Sequence, residues 1–396
     1  MNSIQSRIIV GGWHPALHRL EVQTLLEAAG SESEVEHPRV LRVDSDDLDV
    51  DIVDRCSSIT RWLLGGQRVA PMDTEALLAR ILAEPVSGPP ESDDGVPSIA
   101  VRVESIDGGV EGISHSVLKL GLGARLADLG WAFDMQAPDH ELVVVCVGDE
   151  EAQNPELEPL PREPHILWGL AGPSARSSPP WQERTGPMRP FFKPVSLDPR
   201  IARAMVNLAH PHPPDRRLML VDPFCGTGGV LIEAALLGIG AIGSDLDEEM
   251  VSGTERNLEW LLAQGDTLST VAVKSDDALS FVLHEPVRAF AFDPPYGRNS
   301  WQSEDGRELL LGALARCFEN ATEDARLVTL LPWPAEHVAA MRAGKVVDMD
   351  EFHTYGTPWA EMRELIGSCG WTVLTTVPIS VHGSLSRLLV VCERRR

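Results

Sequence analysis

The segment DPFCGTGG, Asp222–Gly229, follows a short apolar stretch and leads into a helical pattern. Its glycines let the backbone turn tightly and approach a ligand without a Cβ in the way. The spacing departs from G-x-G-x-x-G, since Leu231 stands where the last glycine belongs, and no G-K-[ST] follows. A dinucleotide site and a P-loop are therefore both disfavoured. Such a turn can instead hold the amino-acid portion of S-adenosylmethionine, with Asp222 placed to bind its ammonium group.

Around this segment, from Leu218 to the C-terminus, short apolar strands alternate with helices. The predicted strands are Leu218–Val221, Ala241–Gly243, Thr270–Val273, Arg288–Phe292, Leu327–Leu331, Thr372–Val377 and Leu385–Val391. The predicted helices include Val230–Leu237, Met250–Leu262, Glu308–Cys317 and Trp359–Ile366. Alternation of this kind is typical of an α/β fold with helices on both faces of a doubly wound sheet. We expect a mostly parallel seven-stranded sheet that ends in an antiparallel hairpin.

Carboxylates follow two further strands of this predicted sheet. Asp245 ends the second strand, twenty residues beyond Cys225, where a carboxylate can bond both hydroxyls of a ribose. Asp277 comes after the third strand and could accept from an adenine amine. Each acid alone could equally be a helix cap. Because the carboxyl ends of parallel strands meet at one edge, these acids and Asp222 together predict a nucleoside pocket there.

The second motif is DPPYG, Asp293–Gly297, directly after the strand that ends at Phe292. The Asp293 carboxylate and the Pro294 carbonyl could accept both hydrogens of a nucleobase amine, which turns its lone pair toward a sulfonium methyl. Two adjacent prolines stiffen the backbone there, and Tyr296 offers a ring for base stacking. The alternative is a proline-stiffened strand end without chemistry. The motif favours an amino-methyltransferase that needs no metal or covalent nucleophile.

The N-terminal half has a different, mixed pattern. Helices are predicted at Leu17–Ala29, Leu48–Leu64, Thr74–Leu82 and Ser114–Leu129. Strands are predicted at Ile99–Val103, Ala132–Gln136, Glu141–Val147 and His165–Leu170. A segment rich in Pro, Ser and Gly follows at residues 172–188 and is interpreted as an interdomain linker. These elements predict an α+β N-terminal half joined to the α/β half.

The composition limits the possible functions. The chain has 396 residues and a net charge of −25, so two or three domains are expected. Only four residues are lysine, which fits either a salty cytoplasm or an ordinary acidic enzyme. Six cysteines form no C-x-x-C pair, so neither a zinc site nor a disulfide framework is suggested. Without a secretory pattern or an apolar run of about 20 residues, we expect a cytoplasmic protein that binds no membrane.

Further segments of the C-terminal half carry a family resemblance. RPFFKP at Arg189–Pro194, PRIARAMVNLA at Pro199–Ala209 and HGSLSR at His382–Arg387 accompany the two motifs above. Together they resemble the methyltransferase domain of archaeal tRNA guanine-10 N2-methyltransferases. The resemblance implies a Rossmann-like domain that uses S-adenosylmethionine and a tRNA substrate.

The N-terminal half is similar to two modules of the same family. Residues Asp73–Leu170 look like a THUMP domain, an RNA-binding module, with matches at Val101–Val103 and Phe133–Asp139. The opening Gly11–Pro15 resembles the start of the family's ferredoxin-like segment. The implied division is residues 1–70 for the ferredoxin-like segment, 71–171 for the THUMP-like domain, 172–188 for the linker and 189–396 for the methyltransferase domain.

The resemblance implies a role for each residue that matches a family motif. S-adenosylmethionine would be bound by Asp222, Phe224, Cys225, Gly226, Gly228, Asp245 and Asp277. The flipped-out guanine, whose N2 accepts the methyl group, would be held by Asp293, Pro294 and Tyr296. Weaker candidates for contact with substrate or RNA are Pro295, Gly297, Arg298, His382, Arg387, Arg102 and Arg125.

Two other functions stay open at this point. The same amine chemistry could methylate an adenine or cytosine in DNA, another RNA base, or a glutamine amide. Alternatively, the chain could be an RNA-binding protein without catalysis, although its glycine turn is intact. The acidic N-terminal half departs from the basic surface that RNA binding normally requires. The sequence leaves open the number of methyl groups added and the oligomeric state.

Overall fold

The computed structural model describes residues 7–12, 14–44, 50–83, 96–150, 160–172, 180–194, 196–213, 219–264, 269–295, 304–334, 336–337, 340, 349, 352–382 and 385–395. Within them, the strands form an eight-stranded sheet, a seven-stranded sheet and a two-stranded hairpin. None of the helices described is long and apolar enough to cross a membrane.

The N-terminal half is built on the eight-stranded sheet. Its strands are β1 (Arg7–Gly11), β2 (Glu34–His37), β3 (Val40–Val43), β4 (Ile59–Val69), β5 (Ser98–Ile106), β6 (Ala132–Phe133), β7 (His140–Val147) and β8 (His165–Ala171), in the spatial order β2-β3-β1-β4-β8-β7-β5-β6. Its helices are α1 (Pro15–Ala28), α2 (Val50–Arg55), α3 (Thr74–Ala83) and α4 (His115–Asp128). Because β4 pairs with β8, the two predicted N-terminal domains share one continuous sheet.

The predicted helix Leu48–Leu64 is wrong over most of its described length. Only α2 is helical there, and from Ile59 the chain forms β4. This strand pairs with β1 on one side and β8 on the other, partners that lie far away along the chain. Such pairing is non-local, so the local apolar pattern does not reveal it, although β-branched and aromatic residues such as Ile59 and Trp62 favour a strand.

The predicted strand Ala132–Gln136 is shorter in the structure and ends at Phe133. The carboxylate of Asp134 accepts hydrogen bonds from the backbone N–H groups of Gln136 and Ala137, at 2.8 and 3.0 Å. An aspartate that bonds the backbone ahead of it in this way turns the chain and stops a strand.

The C-terminal half confirms the predicted α/β fold. Its strands are β9 (Met219–Asp222), β10 (Gly240–Asp245), β11 (Val271–Ser275), β12 (Val287–Phe292), β13 (Ala321–Trp333), the hairpin β14 (His353–Thr354) and β15 (Thr357–Pro358), β16 (Trp371–His382) and β17 (Leu385–Arg394). Its helices are α5 (Pro199–Ala209), α6 (Gly229–Leu236), α7 (Glu248–Ala263), α8 (Glu304–Glu319) and α9 (Trp359–Ser368). The large sheet has the order β11-β10-β9-β12-β13-β17-β16, and only β17 runs antiparallel to its neighbours.

Apolar residues cover both faces of this sheet. On β12, Ala289 and Ala291 face a core cluster that includes α5 and α6, while Phe290 and Phe292 face a second cluster with α8 and α9. Alternation along a strand sends successive side chains to opposite faces, so a strand buried on both sides is continuously apolar. Leu17 of α1 belongs to the first cluster, so the N-terminal half packs on that face.

Buried polar contacts join the two halves. The carboxylate of Glu21 on α1 is fully buried and accepts from the Asn207 side chain on α5 at 2.7 Å. It also accepts from the backbone N–H and the hydroxyl of Ser57, at 2.9 and 2.8 Å. A second contact is made by the His14 ring, whose Nε2 lies 2.9 Å from the carbonyl oxygen of Pro378 on β16. The N-terminal half is therefore docked on α5 and β16.

Candidate active site

The glycine turn between β9 and α6 has the backbone geometry that its sequence predicts. Gly226 has φ +51° and Gly228 has φ +80°, both in the left-handed region that glycine adopts without strain. A Cβ on Gly228 would lie 2.7 Å from Cγ2 of Thr254, so that position has no room for a side chain. By contrast, a Cβ on Gly226 would meet only the Phe224 carbonyl oxygen, at 3.9 Å.

Helix α7 and strand β10 hold the turn in place. Cys225 N–H donates to the Ser244 carbonyl oxygen at 2.9 Å, and the Thr254 hydroxyl donates to the Gly226 carbonyl oxygen at 2.8 Å. The amide of Asn257 donates to the Thr227 carbonyl oxygen at 2.9 Å. Our sequence reasoning missed these two α7 residues. They could have been found from the sequence, because both are polar residues within the buried face of an amphipathic helix.

The same Asn257 attaches the segment Arg189–Pro194, which precedes α5. Its side chain accepts from the Phe191 N–H at 2.9 Å and donates to the Phe191 carbonyl oxygen at 2.8 Å. A Cβ on Gly253 of α7 would lie 2.1 Å from the Phe191 ring, so the ring packs directly on the helix backbone. The segment RPFFKP therefore lies against the helix that supports the glycine turn.

Part of the predicted linker also packs into the domain. Arg184, in a 3₁₀ turn at Trp181–Arg184, is 1% exposed, and its guanidinium lies 3.3 Å from the Glu233 carboxylate on α6. Arg203 of α5 donates to the same carboxylate at 2.8 Å. This buried cluster connects the end of the predicted linker to α5 and α6, an arrangement that the composition of residues 172–188 did not predict.

Three carboxylates meet at the carboxyl edge of the sheet. Asp222 is 2% exposed and accepts from the Phe224 N–H at 3.0 Å. Burial raises the pKa of the Asp222 carboxyl well above its usual range, and the nearby Asp245 and Asp293 carboxylates raise it further. Asp245 accepts from the Gly226 N–H at 2.9 Å, which ties the end of β10 to the glycine turn. Asp222 and Asp245 end β9 and β10, and Asp293 follows β12. The sequence analysis grouped Asp222 and Asp245 with Asp277 and assigned Asp293 to the acceptor side.

Asp277 lies at the end of the neighbouring strand β11 and is half-buried. Its carboxylate accepts from the Leu279 N–H at 2.9 Å, which is the turn-capping arrangement left open by the sequence. The preceding Asp276 N–H donates to the Asp245 carbonyl oxygen at 3.2 Å, so the two strand ends are adjacent. Its predicted contact with adenine stays a prediction.

Asp293 has two close neighbours that the sequence analysis did not place there. The guanidinium Nε of Arg387 on β17 lies 3.8 Å from Asp293 Oδ1. Tyr355, in the turn between β14 and β15, is buried and has φ +52°, a strained value for a residue with a side chain. Burial raises the pKa of its phenol, the Asp293 carboxylate raises it further, and Arg387 opposes the shift. The phenol therefore stays protonated near neutral pH.

Other predicted residues of the acceptor side are only partly described. Pro294 is buried and Pro295 is exposed, at the mouth of the site. Tyr296, Gly297 and Arg298 lie outside the described residues. The backbone of His382 ends β16, in register with Leu385 of β17.

The two arginines proposed for RNA contact differ in their surroundings. Arg102 on β5 donates to the Glu141 carboxylate at 2.7 Å and to the Met135 carbonyl oxygen at 3.0 Å, so it crosslinks the N-terminal sheet. Arg125 on α4 is exposed. No group of three or more His, Cys, Asp or Glu side chains suited to a metal ion occurs in the part of the chain described.

Comparison with known proteins adds to this geometry. The family model described as UPF0020, RMKL-like, methyltransferase domain matches residues 187–357. The tRNA (guanine(10)-N2)-dimethyltransferase of Methanothermobacter thermautotrophicus is 32% identical over 237 residues, which are 59% of this chain and 62% of that protein. The protein of the same name from Pyrococcus abyssi is 34% identical over 218 residues, 54% of this chain and 55% of that protein. The chain thus spans less than two thirds of either relative.

Two solved structures share the fold over almost the whole chain. TrmN from Thermus thermophilus has a TM-score of 0.54 at 19% identity and covers 98% of this chain and 99% of its own. A possible methylase from Clostridium difficile 630 has a TM-score of 0.51 at 12% identity, and the match covers 98% of this chain and 97% of that protein. At these identities the likeness shows the fold alone.

The sheet order, the glycine turn and the matched domain define a Rossmann-like methyltransferase fold for the C-terminal half. Residues 187–357 match the RMKL-like methyltransferase domain family. Over the parts aligned, the chain is similar to the tRNA (guanine(10)-N2)-dimethyltransferases named above.

Proposed function

We propose that this chain transfers the methyl group of S-adenosylmethionine to the exocyclic N2 amine of guanosine 10 in tRNA. The convergence of Asp222, Asp245 and Asp293 beside the glycine turn is the observation that carries the proposal. Three carboxylates so close together, one of them buried, repel one another, and a cationic ligand would relieve that repulsion. S-adenosylmethionine carries positive charge on both its sulfonium and its ammonium group.

The residues present fit that cofactor. Asp222 would hold the ammonium group, and the turn at Gly226 leaves open space for the amino-acid portion. Asp245 would hold the ribose hydroxyls, and Leu246 beside it is 74% exposed, an apolar face on which an adenine ring can lie. Asp277 would accept from the adenine amine. When bound, the cofactor supplies an electrophilic methyl group on a positively charged sulfur.

On the acceptor side, Asp293 and the carbonyl of Pro294 would each accept one hydrogen of the guanine amine. The amine of a base is a weak nucleophile because its lone pair is delocalised into the ring. Holding both hydrogens turns the lone pair toward the methyl carbon, so that a nitrogen–carbon bond forms as the sulfur–carbon bond breaks. The amine proton leaves toward Asp293. In-line positioning of this kind supplies most of the catalysis and lowers the activation free energy by about 7–11 kcal/mol at best.

The N-terminal half would bind the tRNA. Lys119, Leu120 and Arg125 of α4 are all exposed, so this helix presents cations and apolar surface to solvent. The docking of this half on α5 and β16 supports the view that bound RNA and the methyltransferase domain act as one unit. A tRNA substrate supports a cytoplasmic location. The names of the curated relatives support transfer of two methyl groups.

The direct test uses unmodified tRNA transcript and labelled S-adenosylmethionine, followed by digestion to nucleosides. We expect label in N2-methylguanosine and N2,N2-dimethylguanosine, and no label when inosine replaces guanosine 10. Inosine keeps the ring and lacks only the amine, so it is a matched control. Label in methyladenosine, in methylcytidine or in protein would instead support the alternative acceptors, and no transfer at all would support an RNA-binding protein without catalysis.

A variant separates the acceptor role from cofactor binding. Asp293→Asn removes the charge that strengthens one hydrogen bond to the amine, worth about 1.5–3 kcal/mol. We expect kcat/KM for tRNA to fall at least about 10-fold while the Kd for S-adenosylmethionine, measured by calorimetry, changes far less, because Asp222 and Asp245 are retained. Glu27→Gln, at an exposed carboxylate of α1, is the matched control and should change neither quantity. Equal losses in both quantities for Asp293→Asn would contradict the assignment.

A further inference from the structure

An open pocket lies at the amino edge of the seven-stranded sheet. Its volume is about 290 Å³ with its mouth included, and the residues that form it include His210–His212, Arg288, Asp324 and Arg326. Arg288 is the second residue of β12, whereas Asp293 follows the last residue of that strand. The pocket and the candidate active site are therefore at opposite ends of β12.

The pairing of β12 with β13 is irregular beside this pocket. Between Val287 and Ala289, the single residue Arg288 of β12 lies opposite residues 322–325 of β13. A bulge of this kind takes the extra residues out of the regular ladder. One of them is Asp324, whose carboxylate accepts a hydrogen bond from Arg288. Arg288 therefore has a carboxylate partner.

Arg326 has no such partner. It is half-buried, and it makes no ion pair or hydrogen bond with any described residue. Glu393, its register neighbour on β17, is exposed and is not paired with it. A half-buried guanidinium has lost part of its hydration, and here no protein hydrogen bond replaces it. An anion in the pocket would supply the missing acceptor.

The chain that follows α5 forms another wall of the pocket, and Arg55 of α2 holds it in place. The Arg55 guanidinium donates to the carbonyl oxygens of His210 and His212, each at 2.8 Å. These carbonyls are already hydrogen-bonded, so they compete little with an anion for the other arginines. Because α2 belongs to the N-terminal half, the pocket lies where the two halves meet.

The charges around His212 are mainly positive. Burial lowers the pKa of its imidazole, and Arg288 and Arg326 lower it further. Asp324 opposes this shift, and Arg55 adds to it. With His212 neutral, three guanidinium groups surround it and only one carboxylate counters them. This local excess of positive charge attracts anions, although the chain as a whole has a net charge of −25.

A phosphate group fits this arrangement. The planar fork of a guanidinium matches phosphate oxygens and can bind two of them at once. A phosphate has oxygens on several sides, so it can accept from Arg288 and Arg326 together, although these approach from neighbouring strands. A carboxylate has only two oxygens in one plane, and a metal cation would be repelled.

We propose that this pocket binds a phosphate group through Arg326 and Arg288. The group can belong to a free phosphate ion or to the backbone of a bound RNA, because both present the same oxygens. Only the RNA source rests on the function proposed above. The pocket is a binding site separate from the one in which methyl transfer is proposed.

The test is calorimetric titration of the full chain with inorganic phosphate near neutral pH, at an ionic strength held constant with sodium chloride. Arg326→Gln removes the unpaired guanidinium, so the Kd for phosphate should rise at least about 10-fold, as for the loss of a hydrogen bond to a charged group. Asp324→Asn removes the carboxylate that competes with phosphate for Arg288, so the Kd should fall about 2- to 5-fold. A merely structural role predicts no tighter binding in either variant.

Arg363→Gln is the matched control, because Arg363 is an exposed arginine of α9, which packs on the other face of the sheet. It should leave the Kd for phosphate unchanged. Urea unfolding without phosphate checks the fold of each variant. Phosphate should also raise the free energy of unfolding of the wild type, and this measurement needs no variant. A wild type that phosphate neither binds nor stabilises, or wild-type affinity in both Arg326→Gln and Asp324→Asn, would overturn the proposal.

Binding of unmodified tRNA transcript to the same proteins distinguishes the two sources of the phosphate group. If the group is part of RNA, Arg326→Gln weakens tRNA binding, Asp324→Asn strengthens it, and inorganic phosphate competes with tRNA. If the group is a free ion, tRNA binding is the same in all variants while phosphate binding still shifts. Both results support the phosphate site. A wild type that transfers no methyl group to guanosine would overturn the proposed function alone, since the phosphate titration does not depend on it.

Discussion

Replacing Gly228 with alanine tests whether the glycine turn holds the cofactor. The residue has φ +80°, where a side chain costs about 1–2 kcal/mol. The new Cβ would also lie 2.7 Å from Cγ2 of Thr254 and displace it. That displacement weakens the 2.8 Å hydrogen bond from Thr254 to the Gly226 carbonyl, worth about 1 kcal/mol. The free protein can relax its turn, so the cost of about 2–3 kcal/mol falls on binding and lowers cofactor affinity about 30- to 150-fold.

The assay is calorimetric titration with S-adenosylmethionine, alongside urea unfolding. Gly30→Ala is the matched control, because Gly30 has φ +76° and its Cβ would have no atom within 4 Å. The control should lose about 1–2 kcal/mol of stability and keep its cofactor affinity. If Gly228→Ala binds the cofactor as tightly as the wild type, or if Gly30→Ala weakens binding as much, the turn is not the cofactor site.

Two further predictions concern the junction of the two halves. Glu21→Ala removes a carboxylate that accepts hydrogen bonds from buried donors of Ser57 and Asn207. The free energy of unfolding, measured by urea titration, should therefore fall by about 3 kcal/mol. Glu27→Ala, at an exposed position of the same helix, is the control and should leave the free energy of unfolding nearly unchanged. Burial lowers the pKa of His14 to about 4 and that of His18 to about 3, below the unfolded value of about 6.5. The unfolded chain therefore takes up protons first, and the stability that is present above pH 6.5 is lost as the pH falls toward 4. The free energy of unfolding should be up to about 4 kcal/mol lower at pH 5 than at pH 7. Equal free energies of unfolding at pH 5 and pH 7 would contradict this prediction.

The sequence predicted best where local pattern and tertiary contacts agree. The central strands β9 and β12 of the α/β half are short, buried apolar runs, and each of the seven predicted strands is present, although their bounds differ from those predicted. The acids after β9, β10 and β12 meet because parallel strands share a carboxyl edge. Their positions could therefore be inferred from the order of elements alone.

The failures have the opposite cause. The strand β4 was predicted as a helix because its partners, β1 and β8, are distant along the chain. Tyr355 reaches Asp293 from a hairpin turn after more than 50 intervening residues, and no local spacing marks it. Arg387 was a weaker candidate for contact with substrate, but its place beside Asp293 was not predicted. The pairing of Arg102 with Glu141 was likewise not predicted, and its contact with RNA stays a prediction. Residue type shows what a side chain can do, and topology decides what it meets.

The two sides of the active site are built on different parts of the sheet. The cofactor side rests on β9, β10 and α7, through the glycine turn, Asp245 and Thr254. The acceptor side adds Arg387 of β17, which is in register with Ile379 of β16. The residue before Ile379 is Pro378, whose carbonyl oxygen contacts His14 of the N-terminal half. The half proposed to bind RNA is thus docked one strand away from Arg387, which lies beside the acceptor residue Asp293.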